Sequence, residues 1–253
     1  MKYLSVLIIA VFVISCNNET KQKVNVLTAN EIIDKSIEVS GGESFGYSKI
    51  FFGFRDKTFM ARRNGGEFLL VRHFKKDKDS ITDIYDNFGF KRMINEAFVK
   101  VVDSMASKYL ASVNSVHYFS VLPYGLNDKA VNKTLLEDEY IKDKNYYKIK
   151  VTFNSESGGE DYEDIFVYWV DKEFYKVDYL AYSYNEADGI GMRFREAYNE
   201  RYVNGLRFVD YNNYDAKSDS IVLTELGKAY EKNELKLLSK IELENVEVNL
   251  IDN

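Results

Sequence analysis

Little in this chain advertises a function. One cysteine, one proline, one tryptophan and two histidines occur in 253 residues. A lone cysteine cannot form an intramolecular disulfide, so the fold must hold by burial. With two histidines and no second thiol there is no ready set of soft or imidazole ligands, and neither a metal nor a cofactor is expected. No GxSxG, HExxH, Walker or GxGxxG pattern occurs, which removes the common signatures of serine hydrolases, zinc peptidases and nucleotide binding. Basic residues are outnumbered as well. Lys and Arg total 34 against 40 Asp and Glu, a net charge of −6. That is the wrong sign for a surface that grips phosphates, so nucleic acid is not an expected partner. Only one long apolar run is present, Leu4 to Ile14, interrupted by Ser5. It falls short of the roughly 20 residues that cross a bilayer as a helix.

The position of that run gives it meaning. Lys2 precedes it, and small or polar residues follow, which is the order of a secretory signal. Val13-Ile14-Ser15-Cys16 resembles a bacterial lipobox, where the cysteine thiol is diacylated and cleavage leaves it as the first residue. The expected organisation is a signal peptide over 1–15, a lipidated Cys16, a tether over 16–27 and a single β-rich domain over 28–253. Removing 15 of the 253 residues leaves 238, with a net charge of −7 once Lys2 is gone. Two or more acyl chains hold a protein at a bilayer stably, at ~0.8 kcal/mol per buried methylene. The expected address is the outer membrane or cell envelope, reached through the lipid.

Periodicity divides the remainder. Thr28 and Glu31 fit a capping box, Ile32, Ile33 and Ile37 share one helical face, and Gly41-Gly42 stops the helix. The period then drops to 2. Strands are expected on either side of Asn64-Gly65, of Asn87-Phe88-Gly89 and of Asn204-Gly205. DSMASKYLASVNSVHYF reads as a second helix with Asp103 as its cap and Met105, Tyr109, Val113 and Val116 on one side. Pro123 marks the loop after it. Tyr147, Ile149, Val151 and Phe153 alternate with Lys148, Lys150 and Thr152, a strand with one buried face. IFVYWV is apolar on both faces and reads as a central strand. LTELGKAYEK is a short helix, and a phase shift between Leu243 and Val246 suggests a bulge in the last strand. GGEDYED offers oxygen ligands without the loop spacing of calcium motifs and reads as a hairpin tip. The fold class expected is mainly β: about ten antiparallel strands in one curved sheet, an open half barrel with a helix across its concave face.

The capped helix ending Ser-Gly-Gly before the first strand, with the internal helix and the strand-rich remainder, resembles the LolA/LolB-like lipoprotein-carrier fold. The stretches EIIDKSIEVSGG, NSVHYFSVLPYGLNDKAVNK, KIKVTF and RFREAYNERYVNG are similar to a family of unknown function among Bacteroidota lipoproteins. Some of its members are labelled deoxyribose-phosphate aldolase. That label implies a βα barrel with a Schiff-base lysine, and this chain lacks the alternation of strands and helices such a barrel needs.

Aromatics are what the chain has in abundance, with 20 Tyr and 17 Phe. They can fill a sheet, or line a cavity for acyl chains. In a hairpin turning at Asn204-Gly205, Met192, Phe194, Glu196, Tyr198, Glu200 and Tyr202 would share a face with Arg207, Val209 and Tyr211. Arg193, Arg195, Asn199 and Arg201 would share the other with Leu206, Phe208, Asp210 and Asn212. Arg207 with Glu200, and Asp210 with Arg201, are within diagonal reach for ion pairs. The residues expected to line a ligand site are His117, Tyr118, Tyr124, Trp169, Arg193, Arg195, Glu196, Tyr198, Arg201, Asp210 and Tyr211, with no catalytic set among them. His117, near a helix C-terminus, serves the helix dipole or the core unless acids converge on it. The expected function is a monomeric, non-catalytic, lipid-anchored protein holding a hydrophobic or amphipathic ligand. The alternatives are a structural or interaction lipoprotein of the envelope, whose concavity is filled by its own side chains and which binds another protein, and an enzyme of unknown type.

Overall fold

The computed structural model describes residues 27–154, 163–186, 189–218 and 220–252. The expected signal peptide, Cys16 and nearly all of the expected tether lie outside these residues, as do Glu160 and Asp161 of the acidic run.

The chain begins with α1 (Ala29–Ser40), and its capping box forms as the sequence predicts. Glu31 N–H donates to the Thr28 hydroxyl while the Thr28 N–H donates to the Glu31 carboxylate at 2.7 Å. Gly41 ends the helix at φ 129°, where a side chain would also strike Leu206. A meander follows: β1 (Tyr47–Phe54), β2 (Lys57–Asn64), β3 (Glu67–Lys76), β4 (Asp79–Asp86), β5 (Gly89–Ile94) and the three-residue β6 (Ala97–Val99). Then α2 (Asp103–Ser120) carries the chain away. Asp103 is its first helical residue, and Val102 stands at the cap without a side-chain bond. The second half runs β7 (Val131–Leu135), β8 (Glu139–Ile141), β9 (Lys144–Phe153), β10 (Ile165–Asp171), β11 (Val177–Glu186), β12 (Gly189–Val203), β13 (Leu206–Ala216), α3 (Leu226–Glu231) and β14 (Leu235–Ile241). The last strand, β15 (Glu244–Leu250), crosses back to pair with β1.

The architecture is mainly β and open, as expected, but the strands form two antiparallel sheets where one was anticipated. Among the described residues, seven strands lie in the order β15-β1-β2-β3-β4-β5-β6, and seven more in the order β14-β13-β12-β11-β10-β9-β7, with β8 added on β9. Twisted open sheets rarely pass about ten strands without curling or splitting, and this chain splits. The expected last strand divides in two, β14 ending at Ile241 in the second sheet and β15 starting at Glu244 in the first. The bulge expected between Leu243 and Val246 forms at the start of β15, where the pairing shifts from Phe51 opposite Glu247 to Gly53 opposite Glu244 and Asn245 stands at φ 50°.

The apolar run IFVYWV becomes β10, in the interior of the second sheet and buried on both faces. One face presents Phe166, Tyr168 and Val170 to a core shared with α1 and the loop after α2. The other presents Val167 and Trp169 to a core closed by α3. Neighbouring β9 is covered on both sides too. Lys148, expected in solvent, is buried and paired with Glu139 at 2.5 Å. A third cluster joins the sheets, with Ile50, Phe52, Phe59 and Val248 from the first against Leu206 and Phe208 from the second.

Candidate functional site

Three polar contacts fix α2 to the first sheet. Buried Asp83 on β4 accepts from Arg72 Nη2 at 2.6 Å and from Arg92 Nε at 2.6 Å, which orients both guanidinium groups. Arg72 reaches on to the Ser112 hydroxyl of α2 at 2.5 Å, and Arg92 lies 3.5 Å from the Tyr109 ring centre. His117 Nε2 meets the Val71 carbonyl at 3.1 Å. Helical geometry then turns Tyr118 and Phe119 away from this sheet and toward the second. The Tyr118 hydroxyl pairs with that of Tyr168 on β10 at 2.9 Å, and burial pushes Tyr118 above the ordinary phenol range.

Between α2 and the second sheet lies a cavity of about 510 Å³. Ala111, Ser115, Tyr118 and Phe119 of α2 form one wall. Phe153, Phe166, Tyr182, Tyr184, Arg195, Val209, Tyr211 and Ile241 form the sheet side, spread across β9 to β14. The rings interlock. Phe119 stands 5.2 Å from Tyr182, and Phe166 stands 5.9 Å from Tyr118 and 5.7 Å from Phe153.

Arg195 is the polar exception. It is buried, and its guanidinium carbon lies 3.9 Å from the centre of the Phe119 ring and 4.9 Å from that of Tyr182. Nη2 donates to the Tyr182 hydroxyl at 2.7 Å, while Nε has no hydrogen-bond partner among the described residues. A bulge places it there. From Val203 opposite Leu206 the hairpin register runs as expected to Arg201 opposite Phe208, then shifts so that Tyr198 faces Asp210. Asn199 absorbs the extra residue at φ 51°. Every side chain from Tyr198 back to Met192 therefore lies on the opposite face from the one an unbroken register gives. Arg195 joins Tyr211 at the cavity, and Glu196 and Tyr198 leave it.

Of the eleven residues expected to line a ligand site, the structure brings Tyr118, Arg195 and Tyr211 together on this wall. The others lie elsewhere, each for a visible reason. His117 is enclosed between the edges of Phe52 and Phe59, at 5.7 and 5.6 Å. Tyr124 packs 5.3 Å from Phe45 beneath Arg63. Trp169 faces the α3 core, 5.5 Å from Phe194. Arg193 pairs with Asp215 at 3.2 Å, and Tyr198 donates to Glu242 at 2.7 Å. Glu196 accepts from Lys142, Tyr230 and Asn212. Burial would raise its pKa, but those bonds outweigh burial and hold the carboxyl below its ordinary range. The two expected diagonal pairs do form, Arg207 with Glu200 at 2.5 Å and Arg201 with Asp210 at 3.1 Å.

Sequence reasoning passed over Phe119, Phe166 and Tyr182. A signal existed for Tyr182, because alternation along β11 puts it in phase with Leu180 and Tyr184. Among the described residues no group of three or more His, Cys, Asp or Glu side chains could hold a metal ion. No helix among them is long and apolar enough to cross a membrane.

A search of curated proteins finds no match. Among solved structures, the chain is similar to a LolA superfamily protein from Nitrosomonas europaea, with 11% identity over 90% of this chain and 95% of that one, at a TM-score of 0.49. It is also similar to a domain from Vibrio parahaemolyticus provisionally assigned to outer membrane lipoprotein sorting, with 9% identity over 87% and 91% at 0.43. A DUF1329 family protein from Desulfovibrio piger matches with 9% identity over 88% and 93% at 0.39. One family model spans nearly the whole sequence, residues 2–243, and by that match the chain belongs to the family of unknown function DUF6503.

Proposed function

We propose that this protein is a lipid-anchored cell-envelope protein that holds a hydrophobic or amphipathic ligand, such as an acyl chain, in the cavity between α2 and the second sheet. The cavity carries this reading. At about 510 Å³ it exceeds the ~300 Å³ at which small-molecule pockets begin, and its wall is mostly aromatic and aliphatic with a few placed polar groups. That volume favours ligand holding over the alternative in which the interior is filled by its own side chains and the protein serves only a protein partner. His117, the residue around which an enzyme reading would have to be built, faces phenylalanine rings and a backbone carbonyl.

The test is direct. Protein purified from cell membranes is extracted with organic solvent, and the released lipid is identified by mass spectrometry against a mock purification. A stoichiometric amphiphile is expected; if none is ever enriched, and none added is retained, the reading fails. The anchor rests on Lys2, the apolar run and Cys16. Cells fed radioactive palmitate should label the wild-type chain and not Cys16→Ser; equal labelling of both removes the anchor at that residue.

A further inference from the structure

We propose that Arg195 is the headgroup anchor of the cavity and that the ligand it selects is a single-chain amphiphile ending in a carboxylate. This rests on the reading of the cavity as a ligand site, and it names the chemistry of that ligand. A guanidinium buried among Phe119, Tyr182 and Tyr211 has given up most of its water. Cation–π contacts and one hydrogen bond recover part of that loss, but no acid among the described residues pairs with it, and Nε is unsatisfied. Among the described residues the other three buried arginines are matched to carboxylates. Arg72 and Arg92 share Asp83, and Arg207 holds Glu200. Arg195 holds a phenol.

That phenol extends the site. The Tyr182 hydroxyl accepts from Arg195, so its own hydrogen is left to donate, and it borders the same cavity. An incoming carboxylate would meet a charged donor and a neutral one side by side, with rings around its chain. The head should carry one negative charge. Arg195 is the one basic side chain among the described residues of the wall, and Asp164, engaged in interactions of its own, is also on the wall. A phosphate dianion would leave excess negative charge in an apolar space, which is costly.

The full chain, purified in detergent, is assayed by scintillation proximity with tritiated palmitate and tritiated methyl palmitate, with hexadecyl phosphate as a competitor. The acid should bind about tenfold to a hundredfold more tightly than its uncharged ester, the range of a hydrogen bond to a charged group. Hexadecyl phosphate should compete less well than palmitate. Arg195→Gln should bring the acid-to-ester ratio to about one, and Tyr182→Phe should lower it by a smaller factor. The wild-type ratio needs no variant, so misfolding of either cannot hide the answer. Equal wild-type affinity for acid and ester overturns the anchor while leaving the cavity as a ligand site; phosphate binding more tightly than carboxylate overturns the choice of head. Binding of neither radioligand overturns the anchor and the ligand site together.

Discussion

His117 illustrates at the scale of one residue how burial can decide a role. Its ring is enclosed by two phenylalanines, its Nε2 donates to Val71, and its Nδ1 has no partner among the described residues. Burial, reinforced by the nearby positive charges of Arg63 and Arg72, lowers its pKa from 6.5 to about 3. Above pH 6.5 the imidazole is neutral in both the folded and unfolded chain and contributes no pH dependence. Between pH 6.5 and 3 the unfolded chain binds a proton that the folded one refuses. Stability therefore falls as the solution is acidified through that window, by up to ~1.4 kcal/mol per pH unit from this group. His117→Gln keeps an amide donor for Val71 and cannot titrate. Urea midpoints measured from pH 7 to pH 4 should fall less steeply for that variant than for wild type, and parallel curves would disprove the assignment. The helical spacing of Val113 and His117 was visible in the sequence, and it does place both on the buried side of α2. The partners of His117 were not visible, because Phe52, Phe59 and Val71 come from strands some 46 residues or more away in sequence.

Elements are held to one another at two charged junctions. Asp83, fully buried, holds Arg72 and Arg92, and those two hold Ser112 and Tyr109 of α2. Asp83→Ala would leave two buried guanidinium groups without a counter-charge. Breaking such a cluster from one side costs about 3–5 kcal/mol. Urea unfolding should show a loss of that order; a change under 1 kcal/mol would mean that water replaces the carboxylate. The second junction ties the sheets together. Asp210 on β13 accepts from Asn199 and Arg201 on β12 and from the Leu243 backbone N–H, where the chain passes from β14 to β15. Asp210→Ala should cost about 1–3 kcal/mol and should selectively speed hydrogen exchange at the Leu243 amide. Turns and strands at this scale were legible. Asn204-Gly205 forms the expected two-residue turn, although between β2 and β3 the turn takes Gly65-Gly66, one residue later than Asn64-Gly65. The bulge in β12 was not legible, unlike the one near Leu243. Asn199 in mid-strand was the only hint, and one inserted residue exchanges which of Arg195 and Glu196 reaches the cavity.

At the scale of the molecule, α2 serves two sheets with opposite faces. Its contacts with the first sheet are charged and directional, whereas on the second it meets rings around an open volume. A helix fixed by polar contacts on one side meets the other sheet through Tyr118 and Phe119 and leaves the hollow open beside them. Stability and ligand holding should therefore separate. Ala111 lines the cavity from α2 and takes no part in the Asp83 junction. Ala111→Trp would place an indole in the space a ligand would fill, leaving both junctions intact. A ligand present at 100 times its Kd stabilises a folded protein by about 2.7 kcal/mol. The wild-type chain should accordingly melt at a higher temperature when saturated with an amphiphile, and the tryptophan variant should not respond, while its melting without ligand stays close to wild type. If the variant still gains the same ligand-dependent increase, the binding volume lies elsewhere; if it unfolds without ligand, the hollow is a packing defect that the fold cannot afford to fill.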